Sequence, residues 1–337
     1  MNRCASGALA IIAAACGKGG TTSGAPVEAA RASGTRAPAA AAPDRDPGSP
    51  ASPASRASPP HPAASWTCDS LPFAESTPVP EASGSAWLEI DGKLGLVIVG
   101  DSGNHGAYGV IDPETGATIE TGKLPLSGEV SDDIEGLSAR AGQLVGLTSS
   151  GWILVWRRKD KGFELVGPPY PLGPIDLPDT KNNDRAPRGD GMVCNGRVVN
   201  CGRNYEGLCL APVPRPGAAC IGFAASKADG HLYCLTDSGG KLVVHHDRSI
   251  PITHPGALAD CAFGDDDRLW VGNNLFDFGN VYAVSHWEDP ATAQVERVGA
   301  LIIGFPELIA ARGDVIYRMS DMGGSPSLMT KYRCHRS

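Results

Sequence analysis

A hairpin unit that recurs five times sets the strongest limit on how this 337-residue chain can fold. Each copy has a run of apolar and β-branched residues, a polar turn that contains glycine, and a second such run. The copies begin at Gly95, Gly142, Gly230, Asp267 and Gly313, with spacings of 47, 88, 37 and 46 residues. Short runs of this kind, bounded by Gly, Asn, Asp and Ser, are typical of β-hairpins. No stretch shows sustained helical periodicity, so the pattern predicts an all-β repeat protein.

The period of the repeat predicts a β-propeller. A unit of about 45 residues with about four strands matches one propeller blade. The interval of 88 residues is close to twice the others, so we expect a degenerate sixth unit between residues 151 and 206. Six blades need about 270 residues at this period, and residues 66–337 supply 272. We therefore expect six blades of four antiparallel strands, with five blades, seven blades or a β-sandwich as alternatives.

The N-terminal residues predict export and a lipid anchor. One basic residue precedes an apolar stretch of 12 residues, 4–15, which is too short to span a bilayer. The stretch ends in Ala-Ala-Ala before Cys16, which resembles a bacterial lipobox. We expect residues 1–16 to be a lipoprotein-type signal peptide with Cys16 as the lipidated residue. An ordinary secretory signal is the alternative, and either one takes the protein out of the cytoplasm.

A linker is expected between the anchor and the folded region. Of the 49 residues in 17–65, 36 are Ala, Pro, Ser or Gly. Such a segment cannot bury enough apolar surface to offset its ordering entropy, so we predict a disordered tether. The propeller domain is then expected to cover residues 66–337.

The distribution of charge limits the possible partners. Residues 1–60 carry a net charge of +3 and the remaining residues carry −11. A domain this acidic repels phosphate backbones, which argues against nucleic-acid binding. It also argues against direct adhesion to anionic lipid, so the lipid anchor is the expected membrane contact. We expect a monomer.

The cysteines predict disulfides. Removal of Cys4 and Cys16 with the signal leaves eight in an exported chain, and no Cys-x-x-Cys pair is present to suggest zinc. Cys68 and Cys334 lie near the two ends of the folded region, and we expect them to form a bond that seals ring closure. Proximity in the chain suggests Cys194–Cys201 and Cys209–Cys220, which leaves Cys234 and Cys261 in consecutive blades.

An acidic residue precedes each hairpin unit at the start of another short strand. These residues are Glu81, Glu135, Glu206, Asp260 and Glu307. The first strand of each propeller blade lines the central channel, so the five acids are expected to form a ring at one mouth. Carboxylates held this close raise one another's pKa unless a cation intervenes, and an all-oxygen site suits Ca²⁺. The alternative is that each acid caps its own blade by accepting backbone N–H bonds.

Several motifs resemble one family. The segments GLVIVGDSGN, YGVIDPETG, SDDIEGLSA, LVGLTSSG and NYEGLCL are similar to those of the phytase-like, esterase-like β-propeller proteins. The similarity covers roughly residues 81–242. It implies a propeller fold, and the family names imply phosphoester or ester hydrolysis.

Three functions follow from these features. The first is an anchored, non-catalytic propeller in the bacterial cell envelope that binds a small ligand or an envelope protein at the acidic mouth. The second is a Ca²⁺-dependent phosphoesterase, which needs basic residues near the acids. The third is a purely structural envelope protein. The sequence contains no Gly-x-Ser-x-Gly motif, and no catalytic residue can be assigned from it.

Overall fold

The structure, a computed structural model, describes residues 65–176, 191–213, 215–252, 257–274, 279–301 and 303–337. The expected signal peptide with Cys16, and all of the expected tether except its last residue, lie outside the described residues. Every regular element in the described ranges is a β-strand. Within those ranges, no helix is long and apolar enough to cross a membrane.

The strands form five antiparallel sheets, which are the blades of a propeller. Blade 1 contains β3 (Ala82–Ile90), β4 (Lys93–Gly100), β5 (Ala107–Ile111) and β6 (Thr118–Lys123). Blade 2 contains β7 (Ile134–Arg140), β8 (Gln143–Thr148), β9 (Trp152–Lys159) and β10 (Gly162–Leu165), and the short β11 (Tyr170–Pro171) pairs with β9. Blade 3 contains β12 (Tyr205–Leu210), β13 (Gly222–Ser226), β14 (His231–Ser238) and β15 (Lys241–Pro251). Blade 4 contains β16 (Leu258–Phe263), β17 (Leu269–Asn273), β18 (Asn280–Ser285) and β19 (Gln294–Ala300).

Blade 5 is completed by the N-terminal end of the described chain. It contains β20 (Phe305–Arg312), β21 (Val315–Asp321) and β22 (Pro326–Arg336), with β1 (Trp66–Leu71) as its outermost strand. The short β2 (Ser76–Pro80) also pairs with β22. Closure of this kind covers the edge of the last blade and removes an exposed template for strand pairing.

The propeller is confirmed, but the expected number of six blades was wrong. The innermost strands β3, β7, β12, β16 and β20 contact one another in sequence, and β20 contacts β3 to close a ring of five. Residues 166–204 contain no sixth blade within their described part, where β11 is the one strand. The described residues of this stretch, 166–176 and 191–204, lie between blades 2 and 3 in the chain.

The miscount has a physical cause in the repeat at Gly230. Four of the hairpin units are the second and third strands of their blades, as in β4–β5 and β8–β9. The unit that begins at Gly230 is β14–β15, the third and fourth strands of blade 3. This shift by one strand, together with the long stretch before blade 3, produced an interval that resembled two repeats.

Four disulfides are present among the described residues. Cys68 on β1 bonds Cys334 on β22, with the Cα atoms 4.1 Å apart, and Cys194 bonds Cys201 within the stretch between blades 2 and 3. The expected Cys209–Cys220 pair was wrong, because Cys209 bonds Cys261 and Cys220 bonds Cys234. Cys209 and Cys261 lie on the innermost strands β12 and β16, so spatial adjacency between blades outweighed proximity in the chain.

Apolar clusters between adjacent blades hold the ring together. The interface of blades 1 and 2, for example, buries Val97, Leu144 and Trp156. Close packing also needs small residues on the innermost strands. A Cβ atom at Gly84 would lie 2.8 Å from the backbone nitrogen of Leu137 in the next blade, a separation that real side chains do not adopt. Glycine therefore allows neighbouring innermost strands to approach around the channel.

Candidate functional site

The innermost strand of every blade carries a β-bulge near its start. In blade 2 the ladder pairs Ile134 with Thr148 and Gly136 with Leu147, so Glu135 has no partner across the ladder. The other four innermost strands have register shifts at the equivalent place. A bulge leaves its extra residue unpaired and redirects its side chain, and it often lies beside a functional site. The five bulges therefore place one residue per blade at the same mouth of the channel.

Three of the five predicted acids occupy these bulge positions. The extra residues are Ser83, Glu135, Glu206, Ala259 and Glu307. All three glutamates are buried, with 9% exposure or less. Blades 1 and 4 have a small residue in the ring, and the acids assigned to those blades lie elsewhere.

Glu81 holds a neighbouring turn rather than a ring position. It lies just before β3 and has a left-handed φ of 49°. Its Oε2 accepts a hydrogen bond of 2.8 Å from Asn104 Nδ2, and its backbone oxygen accepts one of 2.9 Å from Asp101 N. Glu81 therefore positions the turn after β4, which carries Asp101.

Asp260 matches the capping alternative. It lies one residue beyond the bulge of β16, and its Oδ1 accepts the N–H of Cys261 at 2.7 Å. Its Oδ2 accepts the N–H of Ile309 on β20 at 3.2 Å. Asp260 thus joins the innermost strands of blades 4 and 5, and backbone groups occupy both of its carboxylate oxygens.

A lysine partly neutralises the negative charge at one side of the acidic mouth. Lys227 follows β13, and its Nζ lies 2.9 Å from Glu206 Oε2 and 3.8 Å from Glu307 Oε1. Burial alone would lower the pKa of Lys227, but the charges of Glu206 and Glu307 raise it overall, so the lysine stays protonated. Burial raises the pKa of Glu206 to about 8 and that of Glu307 to about 7, although Lys227 opposes both shifts.

Three carboxylates form the other half of the mouth, which we call the acid trio: Asp101, Asp133 and Glu135. One oxygen from each lies within 4.8 Å of the other two. Asp101 follows β4, Asp133 precedes β7 and Glu135 is the bulge residue of β7. Among the described residues, no lysine, arginine or histidine lies within ion-pair distance of the trio; the lysine of this mouth pairs with the other acids.

Burial and the repulsion of neighbouring carboxylates make ionisation of Asp133 and Glu135 unfavourable. Burial raises the pKa of Asp133 to about 7, and the charge of Asp101 adds to the shift. Burial also raises the pKa of Glu135 well above its usual value, and the charges of Glu206 and Asp101 contribute. Carboxylates that lie close together, with two of the three buried and none in an ion pair, favour the binding of a cation.

The hydrogen bonds of the trio leave acceptor capacity unused. Ser149 donates its hydroxyl to Asp133 Oδ2, but Asp133 Oδ1 has no partner among the described residues, although Asp133 is fully buried. Ser83 Oγ lies 2.5 Å from Glu135 Oε2. The side-chain oxygen of Asn204, which is also buried, has no partner in the described part of the chain. Buried polar atoms without partners are rare, and they indicate a missing ligand, water or ion.

A histidine–aspartate pair lies next to the trio along the chain. His105 Nδ1 is 3.0 Å from Asp132 Oδ2, and the His105 side chain is 73% exposed. Asp132 directly precedes Asp133, and His105 belongs to the same turn as Asp101. A carboxylate at Nδ1 fixes the imidazole tautomer and leaves Nε2 to face solvent.

Sequence reasoning missed Asp101, Asp133 and Lys227. The first two were visible in the sequence. Asp133 lies two residues before Glu135, a spacing that would place both side chains on one face of an extended segment, and Asp101 follows the apolar run in the segment GLVIVGD. Lys227 lies in an ordinary polar turn, and no local pattern indicates that it reaches the acids of two other segments.

No family model and no curated protein matches the chain. Solved structures with similarity include the PQQ-bound aldose sugar dehydrogenase of Streptomyces coelicolor, at 14% identity and a TM-score of 0.48, covering 82% of this chain and 100% of that chain. A putative 6-phosphogluconolactonase from Bacteroides uniformis matches at 12% identity and 0.40, covering 70% and 77%. The β-propeller domain of Myceliophteria thermophila Cps50 matches at 8% identity and 0.38, covering 75% and 83%. These values describe a likeness of fold, and the five sheets of this chain define its propeller.

Proposed function

We propose that this protein is an exported, lipid-anchored binding module that holds a Ca²⁺ ion in the acid trio and presents it to a ligand at the channel mouth. The observation that carries the proposal is the contrast within one mouth. Glu206 and Glu307 lie within ion-pair distance of Lys227, whereas no basic side chain among the described residues lies within that distance of Asp101, Asp133 or Glu135. An uncompensated buried carboxylate cluster of this kind is costly, and a bound divalent cation removes the cost.

The donor set favours calcium over other metals. The trio offers carboxylate oxygens and no nitrogen or sulfur ligand, which suits a hard cation. The three residues come from two segments of the chain, the turn after β4 and the start of β7, and such a site has the adaptable geometry that Ca²⁺ accepts more readily than Mg²⁺. Three carboxylates provide up to six oxygens, and waters or the ligand complete the coordination.

The chemistry of the mouth supports a ligand with oxygen donors. A cation at the trio attracts carboxylate, phosphate or hydroxyl oxygens. Lys227, which is partly exposed, pairs with the neighbouring Glu206 and can also meet such a ligand. Anchoring through Cys16 in the cell envelope places such a mouth before small molecules or other envelope proteins. Four disulfides support an oxidising location outside the cytoplasm.

The experiment is a calorimetric titration of the purified, EDTA-stripped protein with CaCl₂. We expect one site with a Kd in the micromolar to millimolar range. Glu135→Gln should weaken binding at least tenfold, because it removes a ligand charge. Glu206→Gln is the matched control and should weaken binding less than Glu135→Gln does, because it removes a neighbouring charge paired with Lys227 and not a ligand. Absence of calcium binding by the wild-type protein, or an equal loss in both variants, would contradict the proposal.

A second candidate, a Ca²⁺-dependent phosphoesterase, is favoured by the His105–Asp132 pair. In this function the acid trio would hold a cation that supplies Lewis-acid stabilisation of a phosphoryl oxygen. His105 Nε2 would accept a proton from the water whose attack on phosphorus releases the alcohol of the ester. The test is turnover of p-nitrophenyl phosphate with and without EDTA. Turnover that disappears both with EDTA and in His105→Gln would replace the binding module with the enzyme, and absence of turnover would exclude this activity on that substrate.

A further inference from the structure

The opposite mouth of the channel has a different chemistry. Each innermost strand begins at the acidic mouth and runs through the centre, so the later residues of the same strands surround the other end. There they enclose a cavity of about 210 Å³, which we call the apolar chamber. All five blades contribute to its wall, through residues that include Trp87, Leu137, Leu208, Cys261 and Ala310.

The wall of the chamber is mostly apolar, and its polar side chains are those of Ser85, Ser138, Asp265 and Arg312. Leu137, Leu208 and Ala310 are at most 2% exposed, and the Cys209–Cys261 disulfide lies in the wall. The hydroxyl of Ser85, which also lines the chamber, has no hydrogen-bond partner among the described residues. A concave apolar site with a few polar groups is the usual form of a small-molecule site.

A weakly engaged guanidinium group lies at the rim. Arg312 ends β20, lines the chamber, and is 42% exposed. Its Nε lies 3.8 Å from Asp265 Oδ2, which is beyond hydrogen-bond distance, and the Asp265 side chain is 68% exposed. A carboxylate on a ligand can therefore accept hydrogen bonds from the planar fork of N–H donors on Arg312 while Asp265 turns to solvent.

We propose that the apolar chamber binds a small molecule with an apolar body and a single carboxylate, with the body between the innermost strands and the carboxylate on Arg312. An apolar cavity of about 150 Å³ in another protein holds one benzene molecule. The chamber is somewhat larger, so one ring with a short acidic side chain matches its volume. This site is separate from the cation site at the other mouth and does not depend on it.

The test uses three probes of one shape: 3-phenylpropanoate, 3-phenylpropan-1-ol and 3-phenylpropylammonium. Calorimetric titration of the full protein should show sub-millimolar binding of the propanoate, as is typical for a ligand of this size. Its affinity should exceed that of the alcohol and of the ammonium compound roughly five- to tenfold, because of one charged pair at a half-exposed rim.

Substitutions test whether the probe binds in the apolar chamber. Arg312→Gln should bring the propanoate down to the affinity of the alcohol and leave the alcohol unchanged. Arg297→Gln is the matched control, because it removes the same charge from the outermost strand of blade 4 and should have no effect. Ser85→Phe should fill the chamber and abolish binding of all three probes. If this last variant does not fold, Arg312→Gln, at an exposed position, still decides the question.

Other results would overturn the proposal. Equal affinity for the three probes, or no binding of any, removes the carboxylate-selective site. Preference for the ammonium compound assigns the head-group contact to Asp265 instead. Binding that disappears with EDTA places the probe at the calcium mouth. Failure of calcium binding with retained propanoate binding would refute only the cation site, so the two proposals are distinguishable.

Discussion

Asp133→Asn should stabilise the calcium-free protein while it removes calcium binding. The substitution keeps the shape of the side chain and removes its charge. Burial raises the pKa of Asp133 from 3.8 to about 7, a difference of about three units. At about 1.4 kcal/mol per unit, the ionised carboxylate costs about 4 kcal/mol of folding free energy at pH 8.

Part of that gain is lost in the variant. The asparagine keeps a weaker bond from Ser149, and its buried amide must find acceptors, here the oxygens of Asp101 and Glu135. We take these losses as about 2 kcal/mol. The net stabilisation is then about 2 kcal/mol, which corresponds to a rise in Tm of roughly 4–8 °C for a domain of this size.

Calcium should make the wild-type protein more stable than Asp133→Asn. At a free concentration 100 times its Kd, a ligand adds about 2.7 kcal/mol to the stability of the protein that binds it. The wild-type protein should gain this amount and Asp133→Asn should gain almost none. Differential scanning calorimetry in EDTA and in excess CaCl₂ at pH 8 measures both effects.

The adjacent residue provides the control. Asp132→Asn makes the same chemical change outside the acid trio, at a partly exposed side chain paired with His105, and should alter stability by less than about 0.5 kcal/mol. A lower Tm of Asp133→Asn in EDTA would show that its carboxylate stabilises the fold through Ser149, and the reasoning from uncompensated charge would be refuted.

Further predictions concern pH, the lysine and the disulfides. Burial raises the pKa of Glu206 to about 8, so the folded protein retains protons that the unfolded chain has released above about pH 4.5. Stability in EDTA should therefore be highest near pH 5 and fall as the pH rises towards 8, and calcium should flatten this slope in thermal melts. Lys227→Met should leave two buried carboxylates without their cation and lower stability by roughly 2–3 kcal/mol at pH 8. The loss is smaller than for a fully buried pair because the lysine is 34% exposed, and it should be smaller again at pH 5. Denaturant titration at both pH values measures this. Replacement of Cys68 and Cys334 by serine opens a loop with a separation of 266 residues and should cost about 5.5 kcal/mol of stability on the chain-entropy model. Loss of the disulfide with a separation of 7 should cost about 2.5 kcal/mol, and equal losses would contradict the model.

Strand content and closure were accessible from the sequence because they depend on local patterns. Apolar runs between glycine-containing turns indicate hairpins. Ring closure was predictable because the first strand of the domain can pair with the exposed edge of the last blade. The number of blades depends on more than local patterns. The hairpin at Gly230 has the same local pattern as the others, but it occupies a different pair of strands in its blade. No short-range signal distinguishes a second strand from a third.

The candidate site was predictable only in part, because a bulge shifts the register by one residue. Glu135, Glu206 and Glu307 are ring residues, as expected from their place at the start of innermost strands. Glu81 and Asp260 have the right residue type but lie two residues before the bulge and one residue after it. Residue type alone does not reveal which of several neighbouring positions is redirected into the channel.

The bond between β1 and β22 also determines how the domain responds to mechanical load. The first described residue, Ser65, lies beside Ser337, and Ser337 N donates a hydrogen bond to Ser65 O. A pulling force on the N-terminal end would otherwise peel β1 from the edge of its blade one residue at a time. Because Cys68 is only the third residue of β1, peeling can release Trp66 and Thr67 and then stops at the covalent link to Cys334. Beyond that point the force passes into β22, which is held by β21 within its sheet, and a reduced protein would lose this mechanical lock while its hydrogen-bonded ladder remained intact.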